Sequence, residues 1–171
     1  MLLNIADIYH TGFVVPDLDA ARRDLTAVFG VTWTDVEQHE IPVTTPEGPV
    51  TANLRFAYSQ GGSPRLELLE PVPGTIWEAP SVSFGPGCAH HVGVWAEDFA
   101  ATSAKLEAAG FPRVLTFDDG SGQAFRFAYH RLPSGPLVEI VDAARKAELE
   151  AWFEGAGYPA PRSENGATDD R

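Results

Sequence analysis

One cysteine among 171 residues, Cys88, excludes a disulfide framework and any CxxC metal or redox motif. Lysine is nearly missing too, with only Lys105 and Lys146. Basic residues number 12 against 24 acidic ones, a net charge of -12. Such a surface repels phosphate backbones and anionic headgroups, so neither a nucleic acid nor a membrane is an expected partner. The chain has no run of 18 apolar residues and no leader-like opening, and the expected location is the cytoplasm. No GxSxG, P-loop or GxGxxG occurs, which removes motif support for serine hydrolase, NTPase or Rossmann chemistry. Apolar residues make up 44% and aromatics 11%, enough for one folded domain.

The chain repeats itself. His10-Thr11-Gly12-Phe13-Val14 matches His91-Val92-Gly93-Val94-Trp95, and Asp17 and Leu25 fall on Asp98 and Leu106. Arg55-Phe56-Ala57-Tyr58 returns unchanged as Arg126-Phe127-Ala128-Tyr129. Leu66-Glu67-Leu68 returns as Val138-Glu139-Ile140. Three matches in the same order are hard to produce by accident. Each copy reads as strand, helix, strand, strand, strand. In the first copy the strands fall near 5–15, 31–37, 50–58 and 64–70. In the second, three of them fall near 113–117, 124–131 and 136–142. Asp17 and Asp98 are expected helix N-caps, and Gly30 and Gly110 the stops. The first helix should bury Leu18, Ala21, Leu25 and Val28. This gives an α+β chain of one domain: module one at 4–71, a linker at 72–87, module two at 88–142, and a C-terminal helix and tail at 143–171. That helix carries Leu149, Trp152 and Phe153 as an apolar stripe, which should dock on the sheet mouth, on the chain's own helical face or on a partner subunit. A homodimer is one arrangement this allows.

Strands alternate faces with period two. His10 and Gly12 share one face, and Thr11 and Phe13 the other. In the copy, His91, Gly93 and Trp95 share a face. Glu67 and Glu139 each lie between aliphatic residues, so they point away from the helix-packing side. A carboxylate on a central strand is costly unless paired or bound to a cation. Two imidazoles and two carboxylates at repeat-equivalent positions make one divalent metal held by His10, Glu67, His91 and Glu139 the economical explanation. If the two hairpins close with loops at 61–64 and 132–136, Tyr58 lies opposite Glu67 and Tyr129 opposite Glu139, on the same face. Tyr58, Tyr129 and Trp95 are then the expected substrate-binding residues, and His130 faces away. His90 should face the helix side or the sheet edge. His39 should be solvated, Cys88 packed, and the run from Asp118 to Gly122 a turn.

These motifs resemble the vicinal oxygen chelate superfamily, which includes glyoxalase I, methylmalonyl-CoA epimerase, extradiol dioxygenases and bleomycin-resistance proteins. The resemblance rests on His10 through Leu18, Leu66 through Pro71, His90 through Asp98 and Gly135 through Ile140, with the epimerase-like branch the best fit. It implies two βαβββ modules forming a cup-shaped mixed sheet around a metal, with ligands at His10, Glu67, His91 and Glu139. It also implies a metal-dependent lyase or isomerase that removes a proton next to a chelated carbonyl of a small carbonyl or carboxylate compound. Glu139 is the first choice for the base and Glu67 the second. The ion could be Zn, Ni, Co, Mn or Fe. Two other readings compete. One is an Fe(II) extradiol-type dioxygenase, which would use His10, His91 and Glu139 and not need Glu67. The other is a metal-free protein that binds or sequesters a small molecule such as an antibiotic.

Overall fold

The structure is a computed structural model that describes residues 1–78, 89–118 and 125–159. The expectations for Cys88, for the turn beyond Asp118 and for most of the C-terminal tail lie outside the described residues. Helix α1 (Leu18–Phe29) starts where the Asp17 carboxylate accepts a 2.8 Å hydrogen bond from the Ala20 N–H, and ends at Gly30, φ 68°. Helix α2 (Phe99–Ala108) starts at the equivalent Asp98, which accepts from Ala101. Each helix crosses between strands of the same order. In the first half β1 (Ile8–Val14) precedes α1, and β2 (Glu37–Thr45), β3 (Gly48–Tyr58) and β4 (Arg65–Leu69) follow it. In the second half β5 (His91–Ala96) precedes α2, and β6 (Arg113–Phe117), β7 (Phe125–Arg131) and β8 (Leu137–Asp142) follow.

The eight strands close on themselves in the order β1-β4-β3-β2-β6-β7-β8-β5. Each half contributes one parallel pair, β1 with β4 and β5 with β8. The halves meet twice. β1 runs antiparallel to β5, and β2 touches β6 through Val43↔Phe117 and Thr44↔Thr116. That second seam makes the expected cup a closed ring. Alternation then divides the apolar residues into three cores. Val15, Leu18, Leu25, Ala57 and Leu68 pack α1 on the outer face, and Phe99, Leu106, Ala128, Val138 and Ile140 pack α2. Tyr9, Phe56, Tyr58, Trp95, Tyr129 and Val141 fill the inside.

The C-terminal stripe belongs to this inner core. A 3-10 turn (Ala143–Arg145) leads into α3 (Lys146–Phe153), whose Leu149, Trp152 and Phe153 are buried in it. Trp152 meets Tyr58 and Phe56 edge-on at 5.4 and 6.0 Å. The stripe is thus covered by its own chain and does not require a second subunit. Trp152→Ala should cost about 3–5 kcal/mol, as expected when a fully buried large aromatic is deleted. Urea unfolding checks this, and a loss below about 1 kcal/mol would show that α3 adds little to the folded unit.

Three local expectations need correction. The second strand lies at 37–45, not 31–37: Trp33 makes a single bridge to Ser59, and its indole N–H donates to Thr26 on α1. Val28 is 70% exposed, because α1 buries only a narrow stripe on the sheet. His39 is solvated only in part, its side chain 36% exposed. It is half-buried on β2, 2.9 Å from Glu37 Oε2 and stacked on Tyr158 with ring centres 4.7 Å apart.

Candidate metal centre

His10 and His91 come from the β1–β5 seam between the halves. The register sets Gly12 opposite His91 and His10 opposite Gly93. A side chain at either glycine would collide with the facing imidazole. A Cβ on Gly12 would lie 1.9 Å from His91 Cε1, and one on Gly93 would lie 1.9 Å from His10 Cε1. Each histidine therefore leans into the space left by the other copy's glycine. Glu67 and Glu139 arrive from β4 and β8, the parallel neighbours of β1 and β5, where they face Gly12 and Gly93 in register.

The four side chains are brought together inside the ring, each at most 6% exposed. His10 Nε2 is 2.9 Å from His91 Nε2 and 3.1 Å from Glu139 Oε2. His91 Nε2 is 3.0 Å from Glu67 Oε2. The diagonal pairs, His10 with Glu67 and His91 with Glu139, stand at 3.5 and 3.6 Å. One ligand-type atom from each of the four lies within 4.8 Å of all the others. These spacings suit neighbouring ligands around an ion bound at about 2.1 Å. Two oxygens of the set, Glu67 Oε2 and Glu139 Oε2, are buried and accept no hydrogen bond, although they touch imidazole nitrogens. Buried unsatisfied carboxylate oxygens are costly, and a divalent cation would satisfy both at once.

His90 sets the tautomer of His91. The Ile76 carbonyl can only accept, so the His90 Nε2 at 2.8 Å must carry the hydrogen. Burial, reinforced by nearby His91, depresses the His90 pKa to about 4, so the ring is neutral near pH 7. Its Nδ1 is then a bare acceptor, and the His91 Nδ1 2.9 Å away must donate. That leaves the lone pair of His91 on Nε2, aimed at the carboxylates, as a metal ligand requires. The expectation that His90 points to the helix side or the sheet edge is corrected by this contact. His90→Phe should weaken metal binding about 10–100-fold with the far-UV circular dichroism unchanged. Chelator competition measures this, and an unaltered affinity would mean that packing alone holds the His91 ring.

The electrostatics agree with a cation site. Without a metal and with the imidazoles protonated, burial opposes charge on Glu67, but His10 and His91 overcome it and hold the carboxyl down at about 2. Burial likewise works against a charged His10, yet the Glu67 and Glu139 carboxylates win and raise its pKa. The Tyr58 hydroxyl donates to Glu67 Oε1. The register is Tyr58↔Glu67 and Tyr129↔Glu139. Burial first, and the carboxylates next, push both phenols well above their usual range, so they remain O–H donors. His130 faces α2, bonded to Ser103 and to the Phe111 carbonyl.

A cavity with about 520 Å³ of empty space, mouth included, opens beside the cluster. Glu67, Glu139, Tyr58 and Tyr129 line it, together with Tyr9, Trp77, Trp152 and Arg145. Trp95 shares the inner face but is absent from this lining: it lies stacked on Tyr9 at 3.8 Å, beneath the ring that the cavity meets. Period-two counting places Tyr9 outside. A bulge in β1, where the partner shifts between Ile8 and His10, turns Tyr9 inward beside His10.

The profile of the glyoxalase/bleomycin resistance protein/dioxygenase superfamily matches residues 9–129. The chain belongs to this superfamily. Its fold is similar to that of methylmalonyl-CoA epimerase from Mycobacterium tuberculosis, with a TM-score of 0.53 and 19% identity, covering 82% of this chain and 89% of that one. A hypothetical protein from Bacillus halodurans C-125 also matches, with a TM-score of 0.50, 13% identity and coverage of 79% and 92%. At such identities the likeness concerns the superfamily fold. No curated protein matches the sequence. None of the described helices is long and apolar enough to cross a membrane.

Proposed function

We propose that this chain is a metal-dependent lyase or isomerase that removes a proton beside a carbonyl group of a small carbonyl or carboxylate compound. The observation that supports this best is the convergence of two imidazole nitrogens and two hydrogen-bond-free carboxylate oxygens on one point at a cavity wall. His10, Glu67, His91 and Glu139 would hold the ion. A bound divalent ion supplies Lewis acidity that stabilises negative charge on a carbonyl oxygen. The two carboxylates divide the remaining work. Glu67 has its Oε1 occupied by the Tyr58 hydroxyl, which makes it the poorer base. Glu139 is then the residue that takes the proton and returns it. Tyr129, opposite Glu139, keeps its proton and shares a hydrogen bond with Glu139, from which it can turn to a substrate oxygen as Glu139 takes the proton. The aromatic walls exclude bulk water from the exchange.

An Fe(II) dioxygenase would need one carboxylate, yet Glu67 stands 3.0 Å from His91 Nε2, inside the cluster. The decisive experiment combines metal analysis of protein purified without added metal with proton exchange in D2O. The candidates are methylmalonyl-CoA and small 2-oxo and 3-oxo carboxylates. Deuterium should enter beside a carbonyl, and Glu139→Gln should slow this at least about 100-fold per metal ion bound. Oxygen consumption with catechols, and no deuterium exchange with any candidate, would overturn the reading in favour of ring cleavage.

A further inference from the structure

The cavity carries a cation that the proposed proton transfer leaves unused. Arg145 lines it together with Glu67 and Glu139, and it lines as well an outer pocket formed by Pro42, Phe117, Arg126, Phe127, Tyr158 and their neighbours. Ile41, Phe127 and Tyr158 are common to both spaces, so Arg145 stands at their junction. It is half-buried, and no ion pair is seen between it and a carboxylate of the described residues; what sets it apart from other such arginines is its place on the wall of the cavity that holds Glu67 and Glu139. In a chain of net charge -12, a guanidinium left at a cavity junction awaits an anion. Its charge reaches the Tyr9 phenol, where it opposes those of Glu139 and Glu67.

The repeat supplies a second, independent observation. Arg55 and Arg126 open the same four-residue run, Arg-Phe-Ala-Tyr, in the two copies. Arg55 lies outside the ring, pinned between Asp19 and Glu70. Arg126 has φ 63°, a conformation that costs a long side chain strain, at a break in the β6–β7 register. That break puts its guanidinium 4.4 Å above the Phe117 ring, on the wall of the outer pocket. The outer pocket also holds His39, bound to Glu37, and the exposed Glu40.

We propose that Arg145 binds a carboxylate of the substrate, with Arg126 lining its approach. The substrate is then an organic anion with two adjacent oxygens at one end, a carboxylate at the other and a flat apolar middle against Phe56, Phe127 and Tyr158. This rests on the metal-centre reading for the chelating end only; the anion end stands on Arg145 at the junction of the two spaces.

The test uses the full chain loaded with Zn2+, which does not oxidise catechols, and isothermal titration. The probes are 3,4-dihydroxybenzoate, 3,4-dihydroxyphenylacetate and 3-(3,4-dihydroxyphenyl)propionate, each beside its methyl ester. At least one acid should bind about tenfold tighter than its ester, the size of one charge-assisted contact. Arg145→Gln should erase that preference and leave both the ester affinity and the zinc content unchanged. Equal binding of acid and ester across all three pairs in the unmodified protein, or a preference that survives Arg145→Gln, would overturn the proposal. The metal reading fails separately: zinc-free protein would then bind the esters as tightly as zinc-loaded protein, whether or not the acid preference persists.

Discussion

Gly12→Ala should abolish metal binding in a chain that still folds. The added methyl would stand 1.9 Å from His91 Cε1 and 2.4 Å from its Nδ1, distances at which atoms cannot coexist. The β1–β5 ladder fixes both backbones, so the ring must swing away. Its Nδ1 is tied to His90, and a swing breaks that bond together with the aim of Nε2. The expected loss of metal affinity exceeds about 100-fold, with about 1–3 kcal/mol of stability lost to overpacking. Gly93→Ala should do the same through His10, whose Cε1 would meet the new methyl at 1.9 Å. Gly157→Ala is the control, since a Cβ there meets nothing within 4 Å. Metal content by mass spectrometry and the thermal melt decide the matter. A Gly12→Ala protein that keeps its metal would refute the claim that these glycines make room for the imidazoles.

Stripping the metal should lower the melting temperature by about 10 °C at pH 7. An ion present at about a thousand times its dissociation constant contributes roughly 4 kcal/mol, and a chain of this size shifts by about 2–4 °C per kcal/mol. The size of the drop should depend on pH. In the stripped protein the His10 pKa lies above its ordinary 6.5, because Glu67 and Glu139 favour the imidazolium in spite of burial. Proton uptake there stabilises the fold fully below pH 6.5, and the benefit disappears as pH rises through the raised value. Glu67 behaves oppositely. Its carboxyl is depressed to about 2, so its contribution is present above about 4.5 and disappears as pH falls through about 2. Stripped protein should therefore be most stable between these windows and weaken toward alkaline pH, widening its gap from the loaded form. Calorimetry from pH 5.5 to 8.5 measures this; a gap that narrows with rising pH would contradict the assignment for His10.

The two-copy order, the caps at Asp17 and Asp98 and the inward face of each half were legible because they depend on local spacing. The hairpin registers followed from loop length, and they set both tyrosines opposite their glutamates. What escaped depends on contacts between distant segments. Tyr9 enters the cavity through a bulge that two-residue counting cannot anticipate. Trp77 belongs to a stretch whose prolines and glycines read as linker, yet it is 1% exposed and lines the cavity. His90 looks redundant beside His91 until the Ile76 carbonyl is seen to fix its hydrogen. The strand at 37–45 is polar on both faces near its start, so the apolar Val31, Trp33 and Val36 drew the expected strand toward themselves.

The reciprocal fit of each histidine over the other half's glycine makes the inner cluster almost a two-fold object, with the axis passing between the two imidazoles. A centre with that symmetry presents equivalent surroundings to either side of a flat molecule bound on it. The two ends of such a molecule are told apart only by parts that the halves do not share: the β1 bulge that brings in Tyr9, Arg126 on the pocket wall against Arg55 pinned outside, and the single α3 packed into the inner core.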